Sequence, residues 1–161
     1  DVVVVAQKAV SKVEGRIVHL DDVEPSPRAV ELAGDEGDPR QVEVILQESA
    51  EVVRSRPPLV ISRTHHGFVC ASAGVDASNA KGPGTVILLP LDPDASAAAL
   101  RDRLAQLTGV APGVIVSDSF GRAWRQGTTD VALGVAGLAA LRDLRGSRDA
   151  VGYELQSTMM P

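Results

Sequence analysis

An apolar, β-branched run leads into residues that could bind a metal ion and an anion. Residues 113–118, Gly-Val-Ile-Val-Ser-Asp, precede Ser119, and Arg122 and Arg125 follow within one short loop. The end of a strand is a rigid place to hold a reactive oxygen, so the pattern predicts a strand that ends by presenting Asp118 and Ser119. A carboxylate suits a hard divalent cation, and two guanidinium groups suit phosphate or carboxylate. We interpret this segment as half of a metal–nucleotide site.

A second carboxylate follows another apolar run and could supply the other half. Residues 68–71 are apolar, and the turn-forming segment 74–79 contains Asp76. Magnesium and manganese prefer hard oxygen ligands and usually take one or two carboxylates together with substrate phosphates. Asp76, Asp118 and the hydroxyl of Ser119 fit that requirement. The plainer alternative stays open, because both aspartates could simply accept backbone N–H groups in turns.

Other polar residues are weaker candidates. Lys8 and Lys12 follow the first predicted strand and could neutralise nucleotide phosphates, although most lysines are only solvated. Asn79 could bind a nucleotide or occupy a turn. His65 and His66 lack the further ligands that zinc needs, and structural hydrogen bonding is the better interpretation for His65.

The arginines and the single tryptophan also have structural alternatives. Arg122 and Arg125 could clamp an anion, or could pair with Asp130 or Asp143 at the surface. Trp124 is as well suited to packing support as to forming a platform for a ligand.

Several common folds and mechanisms are disfavoured. The sequence has no Gly-x-x-x-x-Gly-Lys-Ser/Thr loop, no Gly-x-Gly-x-x-Gly after a strand and no Gly-x-Ser-x-Gly elbow. It also offers no Ser-His-Asp or Cys-His set, so we expect no catalytic nucleophile from the protein. Neither a standard Rossmann nor a P-loop topology is expected, and bound phosphates would be held by metal, lysine and arginine.

Composition restricts the class of protein. The 161 residues fit one domain, residues 1–161, that can bury a core without metal or disulfide bonds. A net charge of −5 and only 2% aromatic residues argue against a nucleic-acid partner. The single Cys70 predicts a buried, inert thiol. Without a long apolar segment or a signal peptide we expect no membrane span and a cytoplasmic location, and the missing initiator methionine predicts a fragment of a longer chain.

The hydrophobic pattern predicts alternating strands and helices. Helices are expected to start at Ser26-Pro27, at Pro39 and after Asp92. The second of these is expected to run through Val52 and Val53 and to stop at the proline pair 57–58. The predicted strands are 2–6, which we expect to be buried, 17–20, 59–62, 67–72, 85–89 and 131–138, the last after a turn at 127–130.

Three long blocks of the sequence resemble a known enzyme family. They are residues 3–16, residues 66–79 (His-Gly-Phe-Val-Cys-Ala-Ser-Ala-Gly-Val-Asp-Ala-Ser-Asn) and residues 117–125 (Ser-Asp-Ser-Phe-Gly-Arg-Ala-Trp-Arg). In these blocks the chain resembles the coenzyme F(420):L-glutamate ligases, also called F(420)-0 gamma-glutamyl ligases. They occur as separate enzymes or as the amino-terminal half of a two-domain actinobacterial enzyme. The resemblance implies an α+β fold, with mixed sheets and flanking helices, that works as a homodimer.

The resemblance also implies a role for particular residues. Asp76 and Asp118 would hold a divalent metal, Mg²⁺ or Mn²⁺, and Ser119, where the family usually has threonine, would contribute to a second ion. The residues implied to contact GTP are Gln7, Lys12 and Asn79. Separately from the resemblance, their guanidinium groups make Arg122 and Arg125 candidates for contacting phosphate or substrate, and a monovalent cation such as K⁺ is a further expected cofactor. The family continues after residues 152–155 through a region that supplies more of the GTP site, whereas this sequence ends at residue 161.

The implied chemistry is the formation of a γ-glutamyl amide bond. GTP would phosphorylate a carboxylate of the F(420) precursor, and the amine of L-glutamate would attack the resulting acyl phosphate. Placing the substrates and neutralising the phosphoryl oxygens would be the main tasks of the protein. Two alternatives remain open, a metal-dependent phosphohydrolase in which water replaces the amine, and an inactive dimerising module.

Overall fold

The computed structural model describes residues 1–121 and 126–160, and these residues form an α+β fold. The helices are α1 (Gln7–Val13), α2 (Pro27–Ala33), α3 (Pro39–Gln47) and α4 (Pro93–Thr108). The strands are β1 (Val2–Ala6), β2 (Ile17–His19), β3 (Ser49–Arg56), β4 (Leu59–Thr64), β5 (Val69–Ala71), β6 (Thr85–Ile87), β7 (Gly113–Gly121), β8 (Thr128–Ala136), β9 (Arg142–Asp143) and β10 (Met159–Met160).

A mixed sheet in the order β1–β7–β8 carries one half of the predicted site. Strand β1 runs parallel to β7, with Ala6 beside Ser117, and β8 runs antiparallel to β7. Buried valines of β7 pack against α1 and α4 because alternate residues of a strand face the same side. The first turn of α4 lies so close to β8 that a Cβ on Gly134 would be 2.2 Å from the carbonyl group of Pro93. The α+β fold with mixed sheets and flanking helices is therefore confirmed.

A second core supports the other half of the site. The antiparallel sheet β3–β4–β5 and the pair β2–β6 pack with α2 and α3 around a larger group of buried side chains. Ser26 and Asp38 cap α2 and α3 by accepting backbone N–H groups, and a proline follows each cap. The predicted helix starts are confirmed, because these residues satisfy N–H groups that a helix leaves without partners.

The predicted extension of the third helix is wrong. Helix α3 ends at Gln47, and Val52 and Val53 lie in β3, where Val52 pairs with Ser62 of β4. β-Branched side chains fit a strand, and pairing with β4 outweighs their helical spacing. The proline pair 57–58 forms the turn of the β3–β4 hairpin instead of stopping a helix.

Two further local expectations are corrected. Strand β1 is not buried, since Val2 and Val4 are 55% and 62% exposed, and this follows from its position at the edge of its sheet. Residues 128–130 are the start of β8 and not a turn, because they pair with β7 as far as Gly121. Strand β7 accordingly extends beyond Asp118, which lies inside the strand and not at its end.

None of the helices in the described ranges combines the length and the apolar character that a bilayer crossing requires.

Glu43 of α3 provides a test of how the two helices are held together. Its carboxylate accepts the backbone N–H of Ser26 at 2.9 Å and the Ser26 hydroxyl at 2.5 Å, and these bonds lower the pKa of Glu43 below its usual 4.5. A lowered pKa means that the stabilisation exists above the unfolded-state pKa and is lost as the pH falls through the folded-state pKa.

We therefore expect Glu43→Gln to reduce the free energy of unfolding by about 1 kcal/mol at neutral pH, and by much less near about pH 3. Urea denaturation at both pH values measures the difference. An equal loss at the two pH values would show that the charge of Glu43 does not stabilise the helix pair.

Candidate functional site

Asp76 and Asp118 line the same cavity. The cavity has a volume of about 230 Å³ and lies between the segment that follows β5 and the last residues of β7. Its other lining residues include Cys70, Ser119 and Phe120. Two carboxylates separated by 42 positions in the sequence (118 − 76) are thus brought together, as the sequence predicted.

The segment before Asp76 is held in an unusual backbone conformation. Ser72, Ala73 and Gly74 have φ angles of 53°, 51° and 73°, in the left-handed region that non-glycine residues rarely adopt. Ala73 is buried in the core, and a Cβ on Gly74 would lie 2.7 Å from Leu89. Non-glycine residues in this region carry strain, which persists only where the surrounding packing enforces it. The turn therefore gives the chain a fixed direction into Asp76.

Two contacts to the end of β6 determine where Asp76 lies. The backbone N–H and C=O of Asp76 bond to Ile87 at 3.0 and 2.9 Å, and the side-chain amide of Gln7 donates to the carbonyl oxygen of Leu88 at 3.0 Å. The start of α1 and Asp76 are thus anchored to adjacent residues. Lys8, the next residue of α1, consequently lies beside Asp76.

Lys8 forms an ion pair with Asp76. Its ammonium group donates to Oδ2 of Asp76 and to the hydroxyl of Ser78, the second at 2.6 Å. Ser78 also donates its backbone N–H to Oδ1 of Asp76 at 2.7 Å. Burial raises the pKa of Asp76, but the hydrogen bonds from Lys8 and Ser78 outweigh it, so that its pKa is below the usual value. Asp76 is therefore held in its charged form.

Asp118 has a different environment. Burial is the largest effect and raises the pKa of its carboxyl group, and the negative charges of Asp76 and Asp130 raise it further. The backbone N–H of Ser119 and the positive charge of Lys8 act in the opposite direction but do not cancel the increase. The charged form of Asp118 is thus destabilised, and an added cation would stabilise it.

A second cavity also borders Asp118. It has a volume of about 350 Å³, and its polar lining residues are Gln7, Lys8, Ser117, Asp118, Ser119 and Asp130. Ser119 and Asp130 are directly opposite each other on β7 and β8, and the Ser119 hydroxyl donates to Oδ1 of Asp130 at 2.9 Å. Asp118 and Ser119 therefore border both cavities.

The residues implied to contact GTP occupy different positions relative to these cavities. Gln7 borders the second cavity, and its amide nitrogen also donates to Ser11 at 2.7 Å. Lys12 lies on the exposed surface of α1, and Asn79 is exposed three residues after Asp76 in a left-handed conformation. Neither Lys12 nor Asn79 lines either cavity. The contacts of Gln7, Lys12 and Asn79 with GTP all stay predictions.

Sequence reasoning gave little weight to two residues of this site. Lys8 was considered only for binding phosphates, and its bond to Asp76 depends on a contact across 68 positions that no local pattern reveals. Asp130 was considered only as a turn residue and as a partner for an arginine. Its position opposite Ser119 follows from the register of β7 and β8. The alternation of apolar and polar residues along these two segments could have indicated that register.

The histidines and the cysteine have structural environments. Nε2 of His66 contacts the Pro90 carbonyl oxygen at 2.8 Å, and Nε2 of His65 contacts the Gln47 carbonyl oxygen at 3.0 Å. Cys70 is buried, and burial together with the charge of Asp118 raises the pKa of its thiol. These environments agree with the expected structural role of His65 and with an unreactive thiol. Arg122, Trp124 and Arg125 lie outside the described residues.

The available ligands fit a magnesium or manganese ion that shares its coordination with phosphate. Within residues 1–121 and 126–160, no three histidine, cysteine, aspartate or glutamate side chains come together to form a metal cage. The site offers two carboxylates and one hydroxyl, all hard oxygen donors. Magnesium typically binds one or two carboxylates plus waters and substrate phosphates. Asp76, Asp118 and Ser119 therefore match that donor set.

The role of Lys8 in keeping Asp76 charged can be tested directly. We expect Lys8→Met to raise the pKa of Asp76, because the hydrogen bond and the positive charge of Lys8 would no longer offset the effect of burial. Carbon-13 NMR titration of the side-chain carboxyl groups measures this change. Lys12→Met, which removes an exposed lysine of the same helix, is the matched control, and an identical Asp76 titration in both variants would contradict the assignment.

Comparison with known proteins identifies the family. Residues 1–160 match the family model described as F(420)-0:gamma-glutamyl ligase. The coenzyme F(420):L-glutamate ligase of Methanopyrus kandleri is 51% identical over 161 residues, covering 99% of this chain and 64% of the relative. The enzymes of the same name from Methanothermobacter thermautotrophicus and Methanocaldococcus jannaschii are each 45% identical, and the match covers 98% of this chain and 63% of either relative.

The chain spans just under two thirds of the length of these curated relatives. The match extends over nearly all of its residues and includes the three blocks on which the resemblance was based. The predicted resemblance is thereby confirmed, and the chain belongs to the F(420)-0:gamma-glutamyl ligase family.

Proposed function

We propose that this chain provides the metal- and phosphate-binding part of a GTP-dependent ligase. The ligase would join L-glutamate, through a γ-glutamyl amide bond, to the deazaflavin precursor of coenzyme F(420). The names of the relatives support glutamate ligation to this coenzyme. The observation that carries the proposal for GTP and metal is the cavity shared by Asp76 and Asp118, with Lys8 beside it.

Three side chains would hold divalent cations. Asp76 and Asp118 are the carboxylate ligands, and Ser119 contributes its hydroxyl to a second ion. The ions would supply positive charge to the phosphate oxygens, which lowers the barrier to phosphoryl transfer. The raised pKa of Asp118 supports this assignment, since added positive charge stabilises the ionised form of a partly buried acid next to another acid.

The proposed reaction has two steps and needs no nucleophile from the protein. A carboxylate oxygen of the precursor attacks the γ-phosphorus of GTP, GDP leaves, and an acyl phosphate forms. The amine of L-glutamate then attacks the acyl carbon and forms the C–N bond. The C–O bond to phosphate breaks, inorganic phosphate leaves with the electron pair, and the amine proton passes to solvent. The protein's contribution is to position the reactants and to compensate charge on the phosphoryl oxygens.

The side chains of the chain have distinct tasks in this scheme. Lys8 keeps Asp76 charged and brings a positive group to the border of the second cavity. Gln7 fixes the start of α1 through Leu88, so that Lys8 is correctly placed. Gln7, Lys12 and Asn79 would contact GTP, as the family resemblance implies. Arg122 and Arg125 would contact phosphate or substrate through their guanidinium groups. Homodimerisation and a monovalent cation such as K⁺ belong to the same proposal.

The carboxylates provide the decisive variants. We expect Asp76→Asn and Asp118→Asn each to reduce Mn²⁺- and GTP-dependent glutamate addition by more than about 100-fold, because loss of supporting residues around a metal already costs about 10- to 100-fold. The assay separates the amide product from GDP and phosphate by chromatography. Asp102→Asn, an exposed acid on α4, is the control with the same change in charge.

The products distinguish the proposal from its alternatives. GTP breakdown to phosphate without an amide product, in the presence of glutamate and precursor, would favour a phosphohydrolase. Absence of heat on titration with GTP and manganese would favour an inactive dimerising module. Glutamate addition at the original rate in both aspartate variants would contradict the assignment of the metal ligands.

A further inference from the structure

The side chains of Ser119 and Asp130 form a directed pair at the edge of the site. The two residues face each other across β7 and β8, and the Ser119 hydroxyl donates to Oδ1 of Asp130 at 2.9 Å. An ionised carboxylate can only accept hydrogen bonds, whereas a hydroxyl carries one hydrogen and two lone pairs. The single hydrogen of the Ser119 hydroxyl is therefore directed at Asp130.

The direction of that hydrogen bond determines what Ser119 can bind. With its hydrogen committed to Asp130, the hydroxyl oxygen has its lone pairs left for another partner. Both residues border the second cavity together with Asp118. A cation in that cavity would meet the lone pairs of Ser119 and not its hydrogen, and the negative charge of Asp130 would make the oxygen a better donor of electron density.

Resting on the proposed function, we propose that Asp130 is a positioning residue that orients the Ser119 hydroxyl toward a divalent cation. Asp130 acts through Ser119 in this arrangement and needs no contact with the ion itself. The role explains why an acidic residue stands opposite Ser119 next to Asp118, where like charges are otherwise unfavourable. A residue that supports a metal ligand in this way typically affects metal affinity about 10- to 100-fold.

The competing explanation for Asp130 is an ion pair with an arginine of the β7–β8 loop, and it predicts a different outcome. In that case Asp130 would influence the anion that the arginine binds and would leave the metal unaffected. Measuring manganese binding without nucleotide separates the two roles, because no phosphate is then present for an arginine to hold.

The experiment is a double-mutant cycle read by manganese binding. Free Mn²⁺ is counted by electron paramagnetic resonance, with manganese alone and with manganese plus GTP, in the wild-type protein, Ser119→Ala, Asp130→Ala and the double variant. We expect Asp130→Ala to weaken binding about 10- to 100-fold. The double variant should bind no more weakly than Ser119→Ala, because Asp130 has nothing to orient once the hydroxyl is gone.

Two additional variants make the cycle specific. Asp130→Asn keeps a carbonyl oxygen that can accept the Ser119 hydroxyl and should restore part of the affinity. Asp143→Asn removes an exposed acid elsewhere and should bind as the wild type does. Circular dichroism melting curves confirm that each variant is folded.

The outcomes distinguish this inference from the proposed function. The inference would be overturned if Asp130→Ala bound manganese with wild-type affinity, or if the losses of affinity were additive in the double variant. The metal site would still stand if Asp118→Asn bound manganese more weakly than the wild type. Wild-type manganese binding in Asp118→Asn as well as in Ser119→Ala would overturn the metal site itself.

Discussion

Two partly buried carboxylates that line one cavity are the constraint on which the rest of this structure depends. Like charges in a partly buried place repel each other, and the opposite pKa shifts of Asp76 and Asp118 show how unevenly they are compensated. Lys8 and Ser78 compensate Asp76, whereas Asp118 has less support. This imbalance is unfavourable for folding alone, but it is what a site for divalent cations and phosphates requires.

The fold brings these groups together through a small number of backbone connections. The parallel pairing of β1 with β7 places the start of α1 beside Asp118. The end of β6 holds both Gln7 and the backbone of Asp76, so that Lys8 and Asp76 meet. The strained turn at 72–74 is held by the buried Ala73 and by the close contact of Gly74 with Leu89. Each half of the site therefore belongs to a different packed core, and the cavity lies where the two cores meet.

The sequence was sufficient for the local features that depend on neighbouring residues. The capped helix starts, the existence of a strand through Asp118 and the α+β class follow from capping residues, hydrophobic alternation and family resemblance. It was insufficient where distant pairing decides the result. Val52 and Val53 have helical spacing but pair with β4, and the exposure of β1 depends on its place in the sheet. The Lys8–Asp76 and Ser119–Asp130 contacts likewise require the register of the folded chain.

The central claim is that Asp76 and Asp118 together hold divalent cations that carry a triphosphate. Anomalous diffraction at the manganese absorption edge, from crystals grown with Mn²⁺ and a non-hydrolysable GTP analogue, tests it most directly. The account predicts two manganese peaks about 3.5–4 Å apart beside Asp118, one of them in the shared cavity in contact with both carboxylates. Manganese peaks elsewhere, or carboxylates directed to opposite sides of an empty cavity, would contradict it.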